Sequence, residues 1–399
     1  MRLLLFLLLL GLALPGVAAT IPISNDEADV APAAAHPGTG RPQDVTPPPA
    51  TPLPAAPAEP LLGAATINQL LNIQVPQQLE LCGEPVPLDR PDVVERLDLE
   101  LVVILGNPVA TTLWFKRMPR YFPLVEAELE LRGLPQDLKY VALVESNLRA
   151  DARSSAGAVG PWQFMGGTGG EMGLEHRAWV DERRDWQKAT TAALDYLSAL
   201  RESFDSWPAA LAAYNAGRRR VSQAMEEQQH SSYYDLVLPR ETERYVFRML
   251  AAKLVIENPE RYGIRVPETY LYAPLDVAMH EFRVGRRELP LPAVAQAAGV
   301  SYRELRRLNP WLLGAPLPRG TYRIQVPTAN AGGFDGELAR WEAANPEPQR
   351  VYYHVRRGDT LSAIARRHSV PLRSLLQWNG LNSRSVIRPG QEVLIQAVD

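Results

Sequence analysis

Residues 141–165 read VALVESNLRADARSSAGAVGPWQFM, and this stretch decides how the middle of the chain folds. Leu138, Val141, Ala142 and Glu145 stand at i, i+3, i+4 and i+7, so one helical face carries three apolar side chains and a carboxylate. Tyr140, Leu143 and Val144 make the rest of the helix apolar too, which places Glu145 among core residues and not on a solvated stripe. Burial favours the neutral acid and raises its pKa. A carboxyl held protonated near neutral pH suits a general acid that protonates a leaving oxygen. The competing reading is a buried Glu satisfied by backbone donors in the following bend, and periodicity alone divides the two evenly.

The bend itself is rich in small and polar residues. Ser146, Ser154 and Ser155 precede Gly157, Gly160 and Pro161, and Trp162-Gln163-Phe164-Met165 follows. Glycines permit close backbone approach, while Gln163 and the hydroxyls can exchange hydrogen bonds with sugar hydroxyls and acetamido groups. Trp162 is expected to pack in the core. Further on, AAYNAG (212–217) sets Tyr214 beside Asn215 at a helix end, with Gly217 available for a left-handed cap.

Around this stretch, residues 64 to 265 show helical spacing, with helices predicted over Asp92–Ile104, Pro108–Arg132, Trp186–Phe204, Pro208–Ala216, Arg219–Gln228 and Glu241–Asn258. Gly133 and Pro135 mark one helix end and the next start. No alternating strand is evident there, so this region reads as all-α. The C-terminal third contains a repeat at an offset of 70 residues: Ala295/Ala365, Val300/Val370, Arg303/Arg373, Leu305/Leu375, Asn309/Asn379 and Gly320/Gly390 match. Strand-like pieces at Glu281–Val284, Tyr322–Val326, Tyr352–Val355 and Glu392–Ile395 bracket the copies, giving two βααβ modules. The fold class expected is α+β.

Composition narrows the function. A net charge of -3 gives no whole-chain bias toward nucleic acid or anionic membrane. Cys82 is the single cysteine, so no intramolecular disulfide or thiolate cluster forms. The six histidines lack ligand spacing, and neither metal nor cofactor is expected. MRLLLFLLLLGLALPGVAAT has the layout of a secretory signal cut near Ala18 or Ala19, with an uncleaved anchor as the alternative. No Cys follows it for lipid attachment. Residues 31–60 hold ten prolines and read as an extended tether with a reach of about 90 Å at about 3.1 Å per residue.

Taken together, Glu145-Ser146, GAVGPWQFM, Gly173-Leu174, AAYNAG and LPRETERYV (238–246) resemble the family 1 lytic transglycosylases, those with the soluble-lytic-transglycosylase catalytic domain. The nearest subgroup is the membrane-bound lytic murein transglycosylase D type. The C-terminal repeats resemble LysM modules, which bind N-acetylglucosamine-containing glycans. The resemblance implies a lysozyme-like catalytic domain over 64–270, a divergent LysM-like module over 274–327, a linker over 328–350 and a LysM module over 351–397, behind a signal at 1–19 and a tether at 20–63. It implies Glu145 as the single catalytic acid/base. Ser154, Gln163, Met165, Tyr214, Asn215, Glu241 and Tyr245 would line the glycan-binding side, Ser146 would only orient, and Gly358, Asp359, Thr360, Leu361 and Asn379 would carry glycan binding in the second module. The implied partner is peptidoglycan, cleaved by a monomer in the periplasm to 1,6-anhydromuramyl ends.

The sequence departs from the family at one place. Met165 is followed by Gly166-Gly167-Thr168 where members usually read Met-Pro-x-Thr, which puts the local loop shape in doubt. Glycoside hydrolysis ordinarily needs two carboxyls. Asp151, in the bend, reads as a turn residue, and Asp185, before a helix, as a cap. A lysozyme-like hydrolase and a non-catalytic peptidoglycan-binding scaffold are the alternatives.

Overall fold

The computed structural model describes residues 70–397 except 286 and 347–349; the signal and tether expected at the N-terminus lie outside the described residues. Three hydrophobic cores organise the described part.

The first core is helical. Helix α1 (Pro91–Leu105) buries Val93, Leu97, Leu101 and Ile104 along one face. Helix α2 (Pro108–Arg132) starts where the Asn107 side chain accepts from the Ala110 amide, runs on through Pro119 and Pro123, and ends at Gly133 in the left-handed region. A 3-10 turn at Gln136–Leu138 leads into α3 (Lys139–Ser146), whose Tyr140, Val141, Ala142 and Leu143 are buried. Next come α4 (Gly166–Glu171), α5 (Trp186–Phe204), α6 (Trp207–Ala216), α7 (Arg218–Gln228) and α8 (Arg240–Glu257). Helix α8 packs against α1, α3 and α6 and is the centre of this core. The region is not wholly helical. Strands β1 (Glu80–Leu81) and β2 (Glu84–Pro85) form a small antiparallel hairpin through Cys82 and Gly83, both at positive φ. Two-residue strands are too short for alternation to betray them.

Each C-terminal module is a strand pair with two helices on it. Strands β3 (Val277–Val284) and β4 (Gly320–Pro327) pair antiparallel around α9 (Leu291–Ala297) and α10 (Tyr302–Leu308). The second module repeats this with β5 (Arg350–His354), β6 (Glu392–Ala397), and two helices at Leu361–Arg367 and Leu372–Trp378. The repeat extends to individual bonds. Asn309 donates to the Leu305 and Gln325 carbonyls and accepts from the Gln325 amide; Asn379 does the same with Leu375, Leu394 and the Leu394 amide. Gly299 and Ser369 both take positive φ, and after each the Val amide reaches back to the matched Ala carbonyl.

Residues 328–350 are not simply a linker. A 3-10 turn (Thr328–Gly333) and α11 (Phe334–Ala344) pack on the first module, with Phe334 fully buried beside Phe282 and His280. The paired Gly332-Gly333 masks an i, i+4 stripe of Phe334 and Leu338 that supplies a third helix for the same core.

The first module is also bolted to the helical domain. Val180, in the segment before α5, is 6% exposed and belongs to the module's core, with Trp179 against it. The Asp181 amide donates to the Trp311 carbonyl and the Leu313 amide to the Trp179 carbonyl. Placing a charge in this seam, Val180→Asp, should cost about 2–4 kcal/mol. The measurement is calorimetry. The variant's unfolding should separate into two transitions where the parent's helical domain and first module melt together, and a variant that melts like the parent rules out a coupling role for Val180.

Candidate active site

Glu145 is the penultimate residue of α3, and the chain turns sharply behind it. Asn147 and Leu148 both take left-handed φ, of 52° and 59°, a costly conformation for residues with a Cβ. Side chains hold it. Ser146 Oγ donates to the Ala142 carbonyl and accepts from the Arg149 amide, Trp114 Nε1 donates to Asn147 Oδ1 at 2.6 Å, and Arg117 donates to the Asn147 carbonyl. Ser146 is thus bonded to the end of α3 and the turn that follows Glu145.

The Glu145 carboxyl is half-buried: protein crowds it closely while one side stays open to solvent. Tyr245, on α8 and almost fully buried, donates its hydroxyl to Glu145 Oε1 at 2.7 Å. Burial pushes the Glu145 pKa up from 4.5 to about 7, the Tyr245 hydrogen bond and the Arg248 charge oppose that rise, and Glu241 adds to it. Glu241 is exposed and ion-paired to Arg248 at 2.9 Å, and it is the other carboxylate whose charge reaches Glu145. Of the remaining candidates for a second acid, Asp185 accepts from the Gln187 and Lys188 amides as the cap of α5, and Asp151 is ion-paired with Arg149. Neither is hydrogen-bonded to Glu145 among the described residues.

The segment after α3 forms the neighbouring wall as a compact set of turns. Val159 bridges both Arg153 and Phe164, and Ser154 Oγ accepts from the Ala158 amide. Gln163, itself at positive φ, donates its amide to the Ala152 and Gly160 carbonyls, which leaves its side-chain oxygen as an acceptor. Met165 is 46% exposed at the edge. Trp162 is core, donating to Thr190 Oγ1, as expected. Tyr214 donates to the Trp162 carbonyl at 2.8 Å, and its ring meets Phe164 edge-on. Asn215 Oδ1 accepts from Thr242 Oγ1, tying the end of α6 to the start of α8. Gly217 takes positive φ but an extended ψ in place of the left-handed cap.

Two supports escaped the sequence. Glu100 on α1 is fully buried, paired with Arg244, and 3.8 Å from Arg248, so it fixes the cation that faces Glu145. Its signal was present: it shares the apolar face of Leu97, Leu101 and Ile104. The other is Arg183, which stands in the charged run DERRDW (181–186). It is buried, bidentate to Asp181, and donates to the Phe164 carbonyl. Burial alone would raise Asp181, but Arg183 holds its carboxyl below the usual range. A Cβ on Gly169 would lie 3.0 Å from Arg183 Cδ, whereas one on Gly167 meets open space. The glycines after Met165 therefore form α4, laid over the Arg183 side chain.

In the second module the residues expected to hold glycan also make bonds within the fold. Asp359 accepts from the Arg356 amide and Tyr353 and pairs with Arg367, Thr360 accepts from the Ala363 amide, Leu361 is buried, and Gly358 makes a positive-φ turn. With the Asn379 bonds above, these interactions hold the module together.

A cavity of about 880 Å³ lies away from Glu145, between Leu70–Gln74, the start of α2 and 260–267. Its lining is mostly apolar and holds no pair of acids.

The transglycosylase SLT domain family matches residues 123–237, the soluble lytic transglycosylase C-terminal LysM-like domain 289–330, and the LysM domain 353–396. The matches thus run along the chain in the order SLT, LysM-like, LysM. It is similar to the membrane-bound lytic murein transglycosylase D of Escherichia coli (strain K12), at 34% identity over 306 residues, covering 70% of this chain and 64% of that protein. A shorter match, 32% over 120 residues, is to the membrane-bound lytic murein transglycosylase F of Desulfosudis oleivorans, covering 28% and 25%. Among solved structures, an inactive mutant of the lytic transglycosylase Slt from Pseudomonas aeruginosa matches at 24% identity and a TM-score of 0.28, over 38% of this chain and 26% of that one.

Proposed function

We propose that this chain is a peptidoglycan lytic transglycosylase of the cell envelope that uses Glu145 as its one acid and base. A single observation carries the reading. The Glu145 carboxyl, poised at about 7, is hydrogen-bonded by Tyr245 and has no second carboxylate bonded to it among the described residues. A group poised near the working pH can give a proton and take one back in the same turnover.

The neutral Glu145 protonates the oxygen bridging N-acetylmuramic acid and N-acetylglucosamine, and the C–O bond at the muramic anomeric carbon breaks. The substrate's acetamido group stabilises the electron-poor carbon, a role that relieves the protein of a second acid. The Glu145 anion, steadied by the Tyr245 hydroxyl and the Arg248 charge, then takes the proton from the C6 hydroxyl. That oxygen attacks the same carbon and closes the 1,6-anhydro ring, with no water consumed. Gln163, Asn215, Tyr214 and Met165 are assigned to holding the glycan, Glu241 to fixing Arg248, and Ser154 to shaping the wall.

Mass analysis of muropeptides released from sacculi tests the reading. Anhydro ends, lighter by one water than reducing ends, are expected; exclusively reducing ends would make the protein a hydrolase, and no release a scaffold. Tyr245→Phe offers a finer check. The lost hydroxyl stabilises the carboxylate, so the Glu145 pKa rises further. The alkaline limb of the pH–kcat/KM profile should move to higher pH while kcat falls about tenfold. An unmoved limb removes Tyr245 from the proton chemistry.

A further inference from the structure

A pocket of about 560 Å³ lies in the seam between the helical domain and the first module. Its charge is lopsided. Arg117, Arg120 and Arg149 line it from one side and Arg306 and Arg307 from the other, against a single acid, Asp151. Arg149 is paired with Asp151 and Arg307 with Glu304. Arg117, Arg120 and Arg306 have no carboxylate partner among the described residues: Arg117 donates to the Asn147 carbonyl, Arg120 to the Ala273 carbonyl and Arg306 to the Tyr302 hydroxyl, while Arg306 Nε is enclosed without an acceptor. Burial and the neighbouring Arg149 charge depress the Arg117 pKa, as expected of cations gathered without their counter-charge. Tyr121 and Trp186, stacked 4.4 Å apart, add a flat apolar wall.

The position ties the pocket to the chemistry. Leu148, Arg149, Ala150 and Asp151 line it, and they belong to the turn that leaves α3 directly behind Glu145. A neutral sugar would bring these arginines no counter-charge. Peptidoglycan also carries short acidic peptides on its muramic lactyl groups, and planar carboxylates match the guanidinium fork.

We propose that this inter-domain pocket binds the carboxylates of the stem peptide attached to the muramic residue being cleaved. The inference rests on the transglycosylase reading for its ligand and deepens it: the substrate class becomes peptide-bearing glycan, and the first module a contributor to recognition. The cations on the two sides belong to different domains, so the pocket depends on the seam that Val180 and Trp179 help to close.

The full-length Glu145→Gln protein, which binds without turning over, is titrated with synthetic L-Ala-D-Glu-meso-diaminopimelate-D-Ala and with the same tetrapeptide amidated at its carboxyls. Saturable binding that weakens with salt is expected for the acidic form alone. Arg120→Ala and Arg306→Ala, one from each domain, should each weaken it about tenfold. In the otherwise native enzyme, each should lower the ratio of kcat/KM on peptide-bearing glycan to that on amidase-stripped glycan by a similar factor. Equal binding of acidic and amidated peptides, or an unchanged ratio in both variants, overturns the proposal. The two readings fail separately: a protein that binds the tetrapeptide and cleaves neither glycan loses the enzyme reading, and one that cleaves both glycans equally and ignores the tetrapeptide loses the pocket.

Discussion

Glu145→Gln should abolish glycan cleavage while leaving binding to sacculi intact and making the protein more stable at alkaline pH. The loss follows from removing the carboxyl that gives and takes the proton, and acid–base catalysis accounts for about 10²–10⁴-fold on its own. The stability gain has a definite sign. Between pH 4.5, the ordinary value, and about 7, native Glu145 holds a proton that the unfolded chain has released. The wild type therefore loses stability as pH rises through that window, by about 2–3 kcal/mol at most after allowing for partial exposure. Glutamine does not titrate and still accepts the Tyr245 hydrogen bond through its side-chain oxygen. Denaturant midpoints at pH 4.5 and pH 8 should thus drop further for the wild type than for the variant. Parallel drops would mean that the native carboxyl titrates like an ordinary one, and the acid role would go with it.

Gly160→Ala should be the most damaging single-methyl change near the site. Gly160 has φ of 88°, and a Cβ there would lie 1.7 Å from the Arg183 carbonyl oxygen, an impossible approach. The opposing partner is backbone, pinned by the buried Arg183–Asp181 pair, so it cannot swing away like a side chain. Either the turn holding Gln163 or the segment leading to α5 must move. The expected cost is about 3 kcal/mol or more, read as a fall in the denaturant midpoint. Cleavage should fall with it even at temperatures where the variant stays folded, because Trp162 and the Gln163 amide depend on that turn. Gly167→Ala meets open space and is the matched control. Comparable losses in both would show that the constraint is not the Arg183 contact.

The sequence made Glu145 and its helix legible because both signals are local. The apolar period closes within two turns, and the acid interrupts it visibly. The α2 helix, too, was readable through its caps despite Pro119 and Pro123. What sequence concealed is pairing over distance. Glu100 meets Arg244 across 144 residues, and no local pattern announces that contact. Arg183 sits in a charged run that resembles any solvated helix entry, and only tertiary burial distinguishes it. In the second module the bonds of Asn379 and Asp359 are equally hidden: in a small unit of two strands and two helices, polar side chains also satisfy backbone groups.

The seam at Val180 bears on how such a chain can be rearranged by evolution. A gene-level cut before β3 looks harmless, since it follows the boundary that repeats and composition suggest. It would nonetheless strip the cover from Val180 and Trp179, leaving the helical domain with a sticky apolar edge and an arginine cluster missing its far side. The first module is therefore not freely exchangeable cargo: gaining or losing it requires the 175–183 segment to be resurfaced in the same step. The second module, whose core shares no residue with the other two, can be added, duplicated or dropped without that debt.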